Sequence, residues 1–235
     1  MLQELPNQCP YYLLSWSGGK DSAWALKTAL EEYTLPIVLL TTVNEDYNRI
    51  AMHGVRQELL KAQAEALALP LVTVGIPKQC SDEEYGLRMK AAMLEQRSRG
   101  CQGIIFGDLF LTDIRTYREK KLEPLGLPAF FPIWGSDTEK LSRRFIAEGF
   151  KSIITCTDSQ ALDASFSGRI YDQTFLTDLP SSVDPCGENG EFHSFTFDGP
   201  IFRWPVKFKK GETLRRDGRF DYTELYEESS SNSIR

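Results

Sequence analysis

The first half of the chain alternates short apolar runs with segments whose apolar residues recur at helical spacing. The apolar runs predict strands at 11–15, 37–42, 71–74 and 103–106. The intervening segments predict helices at 21–32, 55–67 and 81–99, the last with a capping box that starts at Ser81. Strands alternating with helices of this length are typical of an α/β fold with a parallel sheet covered on both faces.

In a sheet of this kind, ligands bind beyond the carboxyl ends of the strands. The loops at 16–22, 43–54 and 107–115 follow predicted strands. We therefore expect the functional residues of this half to lie in these three loops.

The pattern is looser in the second half. It predicts a helix at 114–122, a strand at 129–131, a helix at 138–148, a strand at 151–156 and a final strand at 192–197. From the change near Pro128 we predict a first domain at 1–127, a smaller C-terminal α/β lobe at 128–226 and a disordered tail at 227–235.

Composition narrows the classes of function. The chain has 235 residues, with 27 Lys and Arg against 33 Asp and Glu, a net charge of −6. A wide basic surface for nucleic acid is therefore not expected.

Apolar runs are far shorter than the ~20 residues of a membrane helix, and the start lacks a signal-peptide pattern, so we expect a cytoplasmic protein. The five scattered cysteines form no CxxC pair, which disfavours a disulfide scaffold or a zinc ribbon.

The loop after the first predicted strand carries the strongest chemical signal. It consists of Ser17, Gly18, Gly19, Lys20, Asp21 and Ser22. Its glycines allow a tight turn, its hydroxyls and amides can donate to phosphate, and its lysine and the following helix add positive charge. The aspartate beside a phosphate would suit Mg²⁺. The loop is neither a Walker A motif nor a GxGxxG fingerprint, and a plain Gly-Gly turn with solvated charges stays an alternative.

A second polar cluster lies at 184–195. It contains Glu188, Asn189, Glu191 and His193 beside Gly187 and Gly190. Two carboxylates, an amide and an imidazole could orient ammonia, accept its proton or bind a cationic group. The alternative is a Gly-Asn turn with an exposed acidic rim.

These two motifs resemble those of a known family. SGGKDS at 17–22 resembles the PP-loop of the N-type ATP pyrophosphatases, and CGENGEFHSF at 186–195 is similar to a segment of the diphthine–ammonia ligase family. Segments at 52–56, 106–108, 132–135 and 168–172 agree in order, so the resemblance runs from about Tyr12 to about Phe202. It implies the parallel five-stranded sheet of the PP-loop ATPase (adenine nucleotide alpha hydrolase-like) fold.

The resemblance also implies an activity. In that family, ATP adenylates the carboxylate of diphthine on a translation factor, pyrophosphate is released, and ammonia displaces AMP to form an amide. The implied ATP-binding residues are Ser15, Ser17, Gly18, Gly19, Lys20, Asp21, Ser22, Thr42, Gly107 and Asp108, with Asp21 as the Mg²⁺ ligand. The implied catalytic residues are Lys20, Asp21, Glu188, Glu191 and His193, and those for substrate are His53, Arg56, Arg115 and Asn189.

Other functions stay open at this stage. Tyr117 stands where an arginine is expected, and the segment 53–56 resembles the shorter, often bacterial, members, so the acceptor could differ from diphthine. A tRNA-modifying PP-loop enzyme, with Cys186 as a persulfide carrier, is one alternative. A sensor that binds ATP without turnover is another. A homodimer is possible, and the source of ammonia is open.

Overall fold

The computed structural model describes residues 9–46, 49–50 and 54–228. The first part of the chain forms strands and helices in alternation. Its strands are β1 (Tyr11–Ser15), β2 (Ile37–Asn44), β3 (Arg49–Ile50), β4 (Leu71–Ile76), β5 (Cys101–Ile105) and β6 (Ala129–Phe130). Its helices are α1 (Lys20–Glu32), α2 (Gln57–Leu67), α3 (Asp82–Ser98) and α4 (Thr112–Leu122).

Five strands of the first sheet are parallel, in the order β4-β2-β1-β5-β6, and the short β3 pairs antiparallel with β2. Leu13 and Leu14, neighbours on the central strand β1, are both completely buried, because helices cover both faces of the sheet. The predicted α/β class with a parallel five-stranded sheet is confirmed.

The order of the strands also places the crevice where a ligand can enter. From β1 the chain builds the sheet outward through β2 and β4, then returns to the other side of β1 to form β5 and β6. The direction of winding reverses between β1 and β5, and such a reversal opens a crevice at the carboxyl ends of the two strands. The loops 16–19 and 106–111 flank this crevice.

The second part of the chain forms a four-stranded antiparallel sheet in the order β8-β7-β10-β9. Its elements are α5 (Thr138–Ala147), β7 (Lys151–Asp158), α6 (Gln173–Asp178), β8 (Phe192–Asp198), β9 (Phe208–Arg216) and β10 (Phe220–Glu227). The sequence predicted β7 and β8 but not the β9–β10 hairpin. The side chains of β9 are exposed or only half buried, so this strand has no apolar alternation to detect.

The two sheets share one apolar core. Leu14 and Trp24 from the first part belong to the same buried cluster as Phe145, Phe192 and Phe195 from the second. Although β6 follows residue 127, it pairs with β5 as the outermost parallel strand. The division at 127 and 128 stays a prediction. Within the described ranges, no helix is long and apolar enough to cross a bilayer.

Candidate active site

A cavity of about 1000 Å³ opens at the carboxyl ends of β1 and β5. Its walls come from the loop after β1, the loop after β5, the helices α3 and α4, and the turn that precedes β8 together with the start of β8. Of the residues expected from the sequence, it is lined by Ser15, Ser17, Lys20, Asp21, Ser22, Thr42, Gly107, Asp108, Glu188, Asn189 and His193. The tertiary structure thus brings the two sequence motifs, more than 160 residues apart, to one site.

The loop after β1 turns at Gly18, whose φ of +78° falls in the left-handed region that favours glycine. The hydroxyls of Ser17 and Ser22 lie 3.1 Å apart, and the Ser22 hydroxyl also donates to the Gly19 carbonyl. The loop also packs closely against the loop after β5, since a Cβ on Gly107 would lie only 2.9 Å from the Asp21 carbonyl oxygen. Gly107 therefore permits close backbone approach between the two loops.

Lys20 begins α1 and is almost completely buried, with a side chain 4% exposed. Its Nζ lies 2.8 Å from Oδ2 of Asp21 and 5.3 Å from the centre of the Phe192 ring. Burial alone would lower the pKa of Lys20, but the attraction of Asp21, with a smaller contribution from Glu188, raises it. Lys20 therefore stays charged at the wall of the cavity.

Glu188 faces the same cavity from the turn before β8. Its Oε1 accepts a hydrogen bond of 2.7 Å from the backbone N–H of Leu109, in the loop after β5. Burial raises the pKa of Glu188 from 4.5 to about 7, and the Leu109 hydrogen bond opposes this change only in part. A carboxylate with a pKa near neutrality is suited to exchange a proton with a substrate.

His193 is another titratable residue that lines the cavity. Burial, helped by repulsion from Lys20, lowers its pKa from 6.5 to about 4. The imidazole is therefore neutral at physiological pH and is a weaker proton acceptor than Glu188. As a neutral ring it can donate or accept one hydrogen bond at the cavity wall.

Glu191 was predicted to be catalytic, but the structure places it outside the cavity lining. The side chain is buried, and Oε1 accepts hydrogen bonds of 3.0 Å from the Asp184 backbone and from Nδ2 of Asn189. Asp184 in turn accepts from the backbone N–H groups of Cys186 and Glu188. Glu191 therefore holds the shape of the turn that presents Glu188.

The structure does not bring every expected substrate residue to the cavity. Arg56 directly precedes α2, where its guanidinium lies 3.7 Å from Glu224 and over the Tyr226 ring. Arg115 pairs with Glu119 and stacks on Phe131 and Trp134. His53 lies outside the described residues.

Arg118 does line the cavity but was absent from the expected site. It donates to Oδ1 of Asp108 at 2.9 Å, and its guanidinium lies over the Phe106 ring. Arg118 is three residues after Arg115, so the two side chains leave α4 in different directions by about 60°. The rotation of α4 about its axis decides which of the two arginines enters the cavity. The sequence alone does not show this rotation.

Cys186, the candidate sulfur carrier, has no exposed surface. Its thiol donates to the Thr138 carbonyl at 3.4 Å, and burial raises the pKa of the thiol well above its usual value. A buried thiol that keeps its proton is a poor nucleophile. This geometry disfavours the persulfide chemistry of the tRNA-modifying alternative.

The described residues contain no group of three or more His, Cys, Asp or Glu placed to hold a metal ion. Mg²⁺ is commonly held by one or two carboxylates together with substrate phosphates and water. The Asp21 carboxylate, 29% exposed at the cavity wall, fits that kind of site. Its role as a Mg²⁺ ligand stays a prediction.

Comparison with known proteins identifies relatives along most of the chain. Residues 12–129 match the family model of the diphthamide synthase N-terminal domain, and residues 137–223 match that of the diphthamide synthase C-terminal domain. The diphthine–ammonia ligases of Mus musculus and Homo sapiens are each 26% identical to this chain, over 84% of the chain and 82% of the relative. That of Schizosaccharomyces pombe is 23% identical over 80% of this chain and 34% of its own length.

Proposed function

Because the chain belongs to the diphthamide synthase family, we propose that it is an ATP-dependent ligase that forms an amide through an acyl adenylate. In the first step, an acceptor carboxylate oxygen attacks the α-phosphorus of ATP and pyrophosphate leaves. In the second, ammonia attacks the acyl carbon and AMP leaves, while the nitrogen gives up one proton. The observation that carries the proposal is that Lys20 and Glu188 meet at one cavity.

The loop at 17–22 would bind the phosphates of ATP. Its turn at Gly18 is the backbone geometry that lets amide groups approach an anion, and the N-terminus of α1 adds the positive end of a helix dipole. The ammonium group of Lys20 would attract the phosphates while it keeps its ion pair with Asp21. Mg²⁺, held by Asp21 and the phosphates, would neutralise charge on the departing pyrophosphate.

Glu188 would act on the nitrogen nucleophile. With a pKa of about 7, it is ionised in a large fraction of molecules at neutral pH and can accept the proton that nitrogen loses. Glu188 lines the same cavity as Lys20 and is held by the loop after β5, which supports a base close to the proposed phosphate-binding loop. His193, neutral, and Asn189 would orient the acceptor or ammonia by hydrogen bonds.

The acceptor would be a carboxylate, and the relatives' name makes the diphthine group of a translation factor the first candidate. The adenylation chemistry does not depend on that identity, so another carboxylate would be activated in the same way. The charged side chains of the cavity are balanced, with five acidic and five basic residues in its lining, and Asp21 and Asp108 pair with Lys20 and Arg118. Such a lining lacks the clustered positive charge that nucleic acid would require.

Formation of AMP and pyrophosphate tests the proposal. Purified protein is incubated with ATP, Mg²⁺ and ammonium, with and without a diphthine-bearing translation factor, and both products are quantified. We expect equimolar AMP and pyrophosphate that depend on the acceptor, together with acceptor-dependent exchange of labelled pyrophosphate into ATP. ATP binding without either reaction across a panel of carboxylate acceptors would favour a sensor, and turnover that requires tRNA would favour the tRNA-modifying alternative.

A further inference from the structure

A buried amide on α2 holds the phosphate loop from behind. Gln63 has no exposed surface, and both the nitrogen and the oxygen of its side-chain amide form hydrogen bonds. Its Nε2 donates to the carbonyl oxygens of Gly18 at 2.9 Å and of Thr196 at 2.6 Å. Its Oε1 accepts from the indole N–H of Trp16 at 3.0 Å, which fixes the orientation of the amide.

This contact sets the direction of one peptide group in the loop. The Gly18 carbonyl accepts from both Gln63 and the backbone N–H of Thr196, and neither of these donors lines the cavity. In a trans peptide the carbonyl and the following N–H point in opposite directions. The Gly19 N–H accordingly points the other way, towards the hydroxyl of Ser17, which does line the cavity.

The direction of that peptide matters because phosphate oxygens are repelled by a carbonyl and attracted by an N–H. A flip of the Gly18–Gly19 peptide would turn a carbonyl dipole towards the anion. Glycines on both sides make such a flip sterically easy, so the loop by itself does not enforce the orientation.

Gln63 also joins the loop to the second sheet. Through Thr196 it contacts β8, the strand that carries His193, and the Lys20 backbone N–H donates to Oγ of Ser194 on the same strand. The loop is thereby held to a strand whose first residues, Phe192 to Ser194, also line the cavity.

We propose that Gln63 is a positioning residue that keeps the Gly19 N–H directed towards the phosphates, an inference that rests on the proposed binding of ATP. It acts through the loop, since it has no exposed surface with which to touch a ligand. Removal of its two donated hydrogen bonds should weaken binding of the phosphates selectively and leave the nucleoside part of the ligand unaffected.

The chain offers a matched control in Gln96, a second buried glutamine. Gln96 is 2% exposed, lies on α3 and accepts a hydrogen bond from the Tyr11 hydroxyl at 2.8 Å. Gln63→Leu and Gln96→Leu each remove one buried amide of equal size. A merely structural effect would appear in both variants.

The first measurement is the affinity of each variant for ATP and for adenosine, which has no phosphate, by calorimetry. For Gln63→Leu we expect ATP to bind roughly 10- to 100-fold more weakly, with adenosine affinity changed less than about twofold, and for Gln96→Leu no change in either affinity. Equal ATP affinity in Gln63→Leu and the unmodified protein would overturn the proposal, as would equal weakening of ATP and adenosine.

Rescue by protonation gives a second variant with its own readout. In Gln63→Glu the carboxylate has no donor, but the protonated acid can donate one hydrogen bond, and burial favours the protonated form. The ratio of its ATP affinity to that of the unmodified protein should rise as pH falls from 8 to 6, while the ratio for Gln63→Leu stays constant. A ratio that stays as low as that of Gln63→Leu at every pH from 8 to 6 would contradict the proposal.

Hydrogen exchange separates this inference from the proposed function. In the protein without nucleotide, amides of the loop 16–23 should exchange at least about tenfold faster in Gln63→Leu, and at an unchanged rate in Gln96→Leu. Unchanged exchange in Gln63→Leu refutes the positioning role whether or not ATP binds. Failure of the unmodified protein to bind ATP would refute the proposed function instead.

Discussion

Replacement of Glu188 by Gln isolates the effect of its ionisation. The Gln side chain keeps an oxygen that can accept the hydrogen bond from Leu109, which is 2.7 Å long in the structure. It removes only the site that gains and loses a proton. Because burial raises the pKa of Glu188 to about 7, the substitution should change both stability and catalysis in a way that depends on pH.

The sign of the stability effect follows from proton binding. Between pH 4.5 and about 7, Glu188 is protonated in the folded chain and largely ionised in the unfolded chain. The folded state therefore binds more protons, and the contribution of this group to the free energy of unfolding falls as pH rises through that window. Above pH 7 the ionised Glu188 is destabilising, and Glu188→Gln removes this effect.

The magnitude follows from the change in pKa from 4.5 to about 7. At about 1.4 kcal/mol per unit of pKa, an increase of this size corresponds to roughly 3 kcal/mol if water does not screen the group. Glu188 is only half buried, so we expect about 1–2 kcal/mol after screening. Urea unfolding of both proteins at pH 8 and pH 4.5 measures it. At each pH, the unfolding free energy of the unmodified protein is subtracted from that of the variant. This difference should be about 1–2 kcal/mol larger at pH 8 than at pH 4.5.

The catalytic effect is measured in single-turnover aminolysis of the adenylate, with the concentration of unprotonated ammonia held constant. A base with a pKa of about 7 should make the rate rise about tenfold between pH 6 and pH 8. Glu188→Gln should lose this dependence and slow the step by roughly 10²- to 10⁴-fold, while pyrophosphate exchange persists. A variant that retains the rate and its pH profile, with no pH-dependent difference in stability, would refute the reasoning.

Three further substitutions test other parts of the site. Lys20→Met should weaken ATP binding by roughly 10- to 150-fold, as expected for loss of a hydrogen bond to a charged group, and leave the affinity for adenosine unchanged. Unchanged ATP affinity in calorimetry would exclude Lys20 as a phosphate ligand. Cys186→Ala should keep full turnover and lose about 1 kcal/mol of stability in thermal unfolding, whereas a folded, inactive variant would reopen the sulfur-carrier role. Gly107→Ala places a Cβ 2.9 Å from the Asp21 carbonyl oxygen, so it should lower the free energy of unfolding by about 1–3 kcal/mol and weaken ATP binding. Gly86→Ala, with nothing within 4 Å of its Cβ, is the control for stability. An equal loss of stability in both variants would contradict the packing argument.

The expected elements of the first part agree closely with the structure. A strand such as β1 is largely buried on both faces. It therefore consists of a nearly continuous apolar run, which can be recognised in the sequence. Ser81 accepts a hydrogen bond from the Glu84 backbone at the start of α3, a contact between near neighbours that the sequence pattern implies. The reciprocal contact of a capping box is not seen, since the Glu84 carboxylate pairs with Arg88.

Residues of the same type proved to have different surroundings. Glu188 and Glu191 stand three positions apart in one motif, but Glu188 faces the cavity while Glu191 is buried behind the turn. Arg118 enters the cavity and Arg115 stacks outside it. Local pattern shows which chemistry is present, and the direction of each side chain depends on packing against distant segments.

The sequence by itself determined the α/β class, the parallel strands, the glycine-containing motif at 17–22 and the polar cluster at 184–195, because each is encoded by residues close together in the chain. Only the tertiary structure decided that the two motifs share one cavity, that burial raises the pKa of Glu188, and that Gln63 holds Gly18, 45 positions away, and Thr196, 133 positions away. Burial and hydrogen-bond partners at such separations are properties of the packed chain, since both depend on which distant surfaces exclude water together.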